Sequence, residues 1–239
     1  MSLSTLAAAR GLPLHQASSA AEQAQQLAER VAGALNRALS TSATASLALS
    51  GGRSPEAFLR QLDRQPVNWS RIHLTLVDER WVSDTHADSN AGLVRRCMPT
   101  ALRSATWYGL YQGGGPERRP ENDAQAASAF LQAWLPLDVV VLGMGTDGHC
   151  ASLFPEQPGL EARLARNAPT VCEAVPGPQQ TPRLTLTGAA LRTARLQLLA
   201  ISGEDKYQRL CDAFDGPATQ WPVAAFLAPP LEIFYSPEG

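Results

Sequence analysis

Residues 139–155 read VVVLGMGTDGHCASLFP. A β-branched apolar run ends in a literal G-x-G-x-x-G made by Gly143, Gly145 and Gly148, the pattern of a dinucleotide-binding turn. Such a turn needs a long helix directly after it, with the pyrophosphate at the helix N-terminus. Here Pro155 stands seven residues after Gly148 and Pro158 follows, which leaves room for one or two helical turns. The acidic partner expected at a second strand end has a near match in Glu173, 25 positions beyond Gly148. Asp147 and His149 flank the last glycine, where a dinucleotide turn favours small groups. The string reads better as acid–base chemistry. It places an imidazole, the side chain best suited to act as a base near neutral pH, beside a carboxylate that can fix its tautomer. Glycine amides of the same turn can face an oxyanion. Cys150 reads as a small packing residue, because a cysteine nucleophile would need a base of its own.

Outward from this turn, strands and helices alternate. Residues 45–49 (ASLAL), 72–77, 138–142, 170–175 and 195–201 are short apolar runs predicted as strands. Helices are predicted at 18–39, 54–62, 89–98, 122–134, 159–166, 183–191 and 204–214, and 223–235 reads as strand or loop. Ser19 and Glu22 form a capping box at the first of these, and Ser54-Pro55 supplies an N-cap and a first-turn proline at the second. The 105–120 stretch around GGGPERRP is a surface excursion, too short for a domain boundary. The pattern predicts an α/β fold, a mostly parallel sheet covered by helices on both faces, with residues 1–239 as a single domain.

In such sheets ligands bind beyond the carboxyl ends of the strands. Two further strand-end loops therefore stand out. Ser50-Gly51-Gly52-Arg53-Ser54-Pro55 leaves backbone amides uncovered at the start of a helix, an arrangement that attracts an anion, although it is not a Walker loop and a plain β–α turn would look the same. In Val77-Asp78-Glu79-Arg80-Trp81 the strand alternation puts Asp78 and Arg80 on one face and Glu79 on the other. Asp78 and Arg80 can orient a hydroxyl and meet developing negative charge, or form a surface ion pair. His86, in the polar segment that follows, reads as a loop residue.

The 239 residues carry a formal net charge of −2, with 44% hydrophobic and 18% charged residues, which describes a globule rather than a disordered or fibrous chain. There is no basic run and no run of 18 apolar residues, so neither nucleic acid nor a membrane is an expected partner. Four widely spaced cysteines form no C-x-x-C, which suits a reducing compartment. The opening MSLSTLAAARGLPL lacks a basic region, and Arg10 interrupts its apolar stretch, so a cytoplasmic location is expected.

Taken in order, LALSGGRSP (47–55), VDERWV with the trailing SN (77–82, 89–90), LGMGTDGHCASLFP (142–155), RLTLTGAAL (183–191) and ISGEDK (201–206) resemble the 6-phosphogluconolactonase family from about residue 45 to 230. The resemblance implies a three-layer α/β/α fold shared with the glucosamine-6-phosphate deaminases and related to ribose-5-phosphate isomerase. It implies hydrolysis of 6-phospho-D-glucono-1,5-lactone in the oxidative pentose phosphate pathway, with no metal and no cofactor. It makes His149 the general base and then the proton donor to the ring oxygen. Asp78 orients the sugar or the histidine. Arg80 and the amides around Gly143–Gly145 face the oxyanion, and Asp147 shapes the turn. Ser50, Gly51, Gly52 and Ser54 hold the phosphate, with Arg53, Arg183 and Lys206 supplying positive charge. The expected partner is a small phosphosugar lactone, and the expected assembly a monomer or weak homo-oligomer. A deaminase carries a glutamate where this chain has Phe154 and a tyrosine where it has Arg80, and both departures favour the lactonase. A non-catalytic sugar-phosphate sensor and an NAD enzyme are the remaining alternatives.

Overall fold

In the computed structural model the chain opens with α1 (Leu3–Ala9), β1 (Leu14–Gln16), α2 (Ala20–Thr41) and β2 (Ala45–Leu49). It continues through α3 (Glu56–Asp63), β3 (Ile72–Leu76), β4 (Asp78–Arg80), α4 (Asn90–Cys97), α5 (Pro99–Leu102) and β5 (Thr106–Trp107). The second half adds α6 (Pro120–Leu131), β6 (Val139–Gly143), α7 (Leu160–Leu164), β7 (Cys172–Val175), β8 (Arg183–Leu186), α8 (Gly188–Arg192), β9 (Leu196–Ser202), α9 (Glu204–Asp215) and β10 (Leu231–Ser236). The structure describes residues 1–52, 55–113 and 117–238. Arg53 and Ser54, expected in the anion loop and at the helix cap, lie outside the described residues, as do residues 114–116 of the Gly/Pro-rich connection.

Among the described residues, seven strands form one parallel sheet in the order β1-β10-β9-β6-β2-β3-β5. The runs ASLAL and VVVL are apolar apart from Ser46, because β2 and β6 lie mid-sheet and are covered on both faces; all five β2 residues and the first four of β6 are buried. The longest helix, α2, covers them with a stripe of Ala24, Leu27, Ala28, Val31, Leu35 and Leu39, each leucine contributing roughly 1.5–3 kcal/mol by leaving water. Its start is capped as expected by Ser19 Oγ, which accepts from the Glu22 amide at 3.2 Å. The returning Glu22 carboxylate reaches one residue further back than a capping box requires and accepts from the Ser18 amide at 2.7 Å.

A second sheet departs from expectation. Strands β4, β8 and β7 form a three-stranded antiparallel sheet. Residues 183–191, predicted as one helix, are instead strand β8 followed by the short α8, with Thr187 capping it by accepting from the Ala190 amide at 3.3 Å. The RLTL stretch finds ladder partners on both sides, buries Leu184 and Leu186, and so gains as a strand what a helix there would have to find within itself.

The strand order also locates the crevice. From β2 the chain moves to β3 on one side, and from β6 it moves to β9 on the other, although β2 and β6 are neighbours. The carboxyl ends of these two strands therefore flank a topological switch point, where connecting helices leave in opposite directions and a ligand can enter.

Candidate active site

Two strand-end loops meet at this switch point, and Ser50 ties them together. Its hydroxyl donates to Val141 O at 2.9 Å and accepts from the Gly143 amide at 3.1 Å, while its own amide donates to Val141 O at 3.1 Å. Ser50 thus spends its hydroxyl on the frame, although it lines the same cavity as Gly51 and Gly52.

The G-x-G-x-x-G turn frames His149. Gly148 sits at φ +79°, where a side chain is strained, and a Cβ there would also lie 2.7 Å from the Trp221 ring. A Cβ on Gly145 would overlap the His149 imidazole at 2.2 Å. The Gly145 amide donates to His149 O at 3.0 Å and the Gly143 amide to Ser50 Oγ, so both amides expected to face an oxyanion are already engaged within the loops. These two amides are thus spent on the frame of the loops, and Arg80 and Arg183 line the same cavity.

Asp147 does more than shape the turn. Its Oδ1 accepts from the His149 amide at 3.2 Å and meets His149 Nδ1 at 2.5 Å. A carboxylate in that position keeps the proton on Nδ1 and leaves the Nε2 lone pair to act as base. Burial works against the charge of Asp147, but the imidazole and amide bonds of His149 outweigh it and hold the carboxyl below its ordinary range. Phe154 packs on the other side of this chemistry, its ring centroid 4.6 Å from that of His149. Cys150 is fully buried, which drives its thiol far above the ordinary range and suits packing rather than nucleophilic attack.

The small antiparallel sheet supplies the other wall. Its register sets Asp78 opposite Thr185 and Arg80 opposite Arg183. Asp78 is nearly buried, with Oδ2 accepting from Ser152 Oγ at 2.6 Å and Oδ1 from Asn90 Nδ2 at 3.3 Å. Arg80 Nη1 donates to Asn90 Oδ1 at 2.6 Å and to Asp88 O at 3.0 Å. Arg183 lies with its guanidinium 6.0 Å from the Phe154 ring centroid, and its buried Nε finds no partner among the described residues. Burial and the facing Arg80 both lower the Arg183 pKa. On β9's side, burial also lowers the pKa of Lys206. Like charges directly opposite in a ladder are unfavourable, and so is withdrawing cations from water; Asp78, Glu79 and Asp88 offset this at Arg183, but burial and Arg80 outweigh them, so the site gains by taking up further negative charge.

Asp78, Arg80, His149, Arg183 and Lys206 thus line one cavity of about 290 Å³, with Ser50, Gly51, Gly52, Gly143 and Gly145 on its floor. Asp147 stands just behind His149. Asn90 and Ser152 were not singled out individually from sequence as site residues. The only signal was the SN pair itself, with Ser89 capping α4 by accepting from the Gly92 amide at 3.0 Å.

The sequence matches the family described as glucosamine-6-phosphate isomerases/6-phosphogluconolactonase over residues 18–232. It is 46% identical to a 6-phosphogluconolactonase of Pseudomonas aeruginosa over 241 aligned positions, covering 99% of this chain and all of that protein. The structure is similar to that of a 6-phosphogluconolactonase from Shewanella baltica, with a TM-score of 0.87 and 31% identity over 94% of this chain and 97% of that one. It is also similar in fold, at a TM-score of 0.77 and 17% identity over 95% and 98% of the two chains, to a monomeric glucosamine-6-phosphate deaminase.

Proposed function

The chain belongs to the glucosamine-6-phosphate isomerase/6-phosphogluconolactonase family, and from that premise we propose how its cavity hydrolyses a phosphosugar lactone. The protein is a lactone hydrolase of the 6-phosphogluconolactonase type, acting on 6-phospho-D-glucono-1,5-lactone in the pentose phosphate pathway. In the reaction, His149 Nε2 takes a proton from water, and the resulting hydroxide attacks the lactone carbonyl. Imidazolium charge is met by Asp147 through Nδ1. The tetrahedral oxyanion is met by Arg80, with Arg183 beside it. Collapse of the intermediate breaks the bond to the ring oxygen, which takes the proton back from His149. The carboxylic acid product then ionises to solvent.

Asp78 faces the same cavity but does not touch His149, so its task is to accept from a sugar hydroxyl. Lys206 and the Ser50–Gly52 turn hold the remote phosphate, and energy from that contact positions the carbonyl against His149. The observation that carries this reading is the 2.5 Å contact of His149 Nδ1 with Asp147, which leaves Nε2 as the free base beside a cluster of cations. Phe154 in contact with the His149 ring argues against ring-opening deamination, which would need an acid–base group there. We read residues 1–239 as one domain acting in the cytoplasm as a monomer or weak oligomer, without nucleic acid. The four cysteines are free, which fits a reducing compartment; no described helix is long and apolar enough to cross a membrane.

The test is His149→Ala, assayed by lactone loss with ammonia release from glucosamine 6-phosphate measured in parallel. Removing a positioned general base should lower kcat about 100- to 10,000-fold with the fold retained. Near-normal lactone turnover, or ammonia release by the wild type, would overturn the assignment.

A further inference from the structure

Asn90 uses both polar atoms of its side chain on Asp78 and Arg80 of β4, reaching the backbone and carboxylate of the first and the guanidinium of the second. Its Nδ2 donates to Asp78 O at 2.9 Å and to Asp78 Oδ1 at 3.3 Å, and its Oδ1 accepts from Arg80 Nη1 at 2.6 Å. The position asks for a donor and an acceptor on one short planar group. A reversed amide would set its NH₂ against a guanidinium and its oxygen against a carboxylate, so the orientation is dictated by the partners. Aspartate could accept from Arg80 but not donate to Asp78, and leucine could do neither. The side chain lies in space that only a glycine at 51 leaves open: a Cβ placed on Gly51 would fall 1.9 Å from Asn90 Oδ1 and 2.0 Å from its Cγ.

The position of Asn90 is itself held by a buried carboxylate that the reaction does not use. Glu79 is fully buried on the opposite face of β4. Its Oε1 accepts from the Arg80 and Asn90 amides, each at 2.8 Å. Its Oε2 accepts from the Ala91 amide at 2.7 Å and from Ser89 Oγ at 3.1 Å. These bonds anchor the first turn of α4 to the strand, which fixes where the Asn90 side chain begins.

We propose that Asn90 is a positioning residue that couples Asp78 to Arg80. The inference rests on the lactonase reading of the same cavity. Asn90 acts through its two partners rather than on the substrate. Its loss should therefore lower kcat and leave the phosphate grip at Lys206 intact.

The experiment compares wild type, Asn90→Ala, Arg80→Ala and the double variant in the lactone assay. Affinity for 6-phosphogluconate and thermal unfolding are measured on the same proteins. Asn90→Ala should lower kcat on the order of 100-fold, the size of effect seen when reacting groups are misplaced by about 1 Å, and KM and product affinity should change by less than about threefold. In the Arg80→Ala background the same substitution should cost much less, because one of its two partners is already gone. Asn90→Asp keeps the size and the Arg80 contact but cannot donate to Asp78. It should also lose kcat, which keeps the test valid if the alanine variant folds poorly. Unchanged kcat in a folded Asn90 variant, a change in KM alone, or additive losses in the double variant would overturn the inference. A wild type that turns over no lactone would instead overturn the functional reading, and the inference with it.

Discussion

Arg183 faces Arg80 across the β4–β8 ladder, half-buried and with its Nε unpartnered among the described residues. Replacing it with methionine keeps most of the stem and removes the charge. A like-charge cross-strand pair costs about 0.2–1 kcal/mol, and a buried N–H without a partner about 1–3 kcal/mol. Arg183 is only partly withdrawn from water, so the lower part of that range applies, and Arg183→Met should stabilise the free protein by about 1–2 kcal/mol. For a chain of this size that is about 2–8 °C in Tm. Catalysis should move the other way. Loss of charge-assisted bonds to an anionic ligand, about 1.5–3 kcal/mol, predicts a fall in kcat/KM of about 10- to 100-fold. Ligand linkage supplies a third number. At 6-phosphogluconate equal to 100 times the wild-type Kd, the wild type should gain about 2.7 kcal/mol, and the variant only about 0.4–1.4 kcal/mol. Urea unfolding and thermal scans with and without 6-phosphogluconate read all of this on one preparation. A variant less stable than wild type without ligand, or one with an undiminished ligand shift, would refute the view that this cation pair is held in tension for an anion.

Lys206→Met should weaken 6-phosphogluconate binding about 10- to 100-fold, read by calorimetry, and equal affinity would remove Lys206 from the phosphate grip. Asp147→Asn exchanges a charge-assisted bond to His149 for a neutral one, and should lower kcat roughly 10-fold with product affinity nearly unchanged in the same assay; a wild-type kcat would mean that Asp147 only shapes the turn. A buried and a half-buried carboxylate should show opposite pH dependence in urea unfolding, Glu79 above the ordinary glutamate value and Glu232 below it. Burial raises the pKa of Glu79, so its contribution is full below the ordinary glutamate value and is lost as pH rises through the raised one; the stability gap between wild type and Glu79→Gln should narrow with rising pH. Burial also opposes the charge of Glu232, but the Arg30 fork and His15 more than offset it, so the gap to Glu232→Gln should appear above the ordinary value and vanish as pH falls through the lowered one. The same sign for both pairs would contradict these environments.

Much of this was legible in the chain because burial on both faces writes uninterrupted apolar runs, as in β2 and β6, and because the glycines after them mark strand ends. His149, Asp78 and Arg80 could be picked out since each stands at such an end. The antiparallel sheet was harder to see. Strand β4 is three residues long and wholly charged, so it has no apolar pattern, and the alternation in RLTL was masked by the helix-forming GAAL that follows it. The engagement of the Gly143 amide and of the Ser50 hydroxyl could not be inferred either, because it depends on two loops from distant parts of the chain meeting at 2.9–3.1 Å. Asn90 was hidden for a related reason: its partners are ten and twelve residues upstream across a turn whose path the sequence does not specify.

The sheet order has a consequence for synthesis. Strand β1, at residues 14–16, has a single neighbour, β10, formed by residues 231–236. On the ribosome the first strand therefore waits with open hydrogen-bonding groups until nearly the whole chain has been made. Translation at about 5–20 residues per second makes that a delay of roughly 10–45 s. Any truncated product lacking β10 would leave β1 unpaired and turn β9, an otherwise interior strand of apolar residues, into an exposed edge, the kind of surface that recruits other chains.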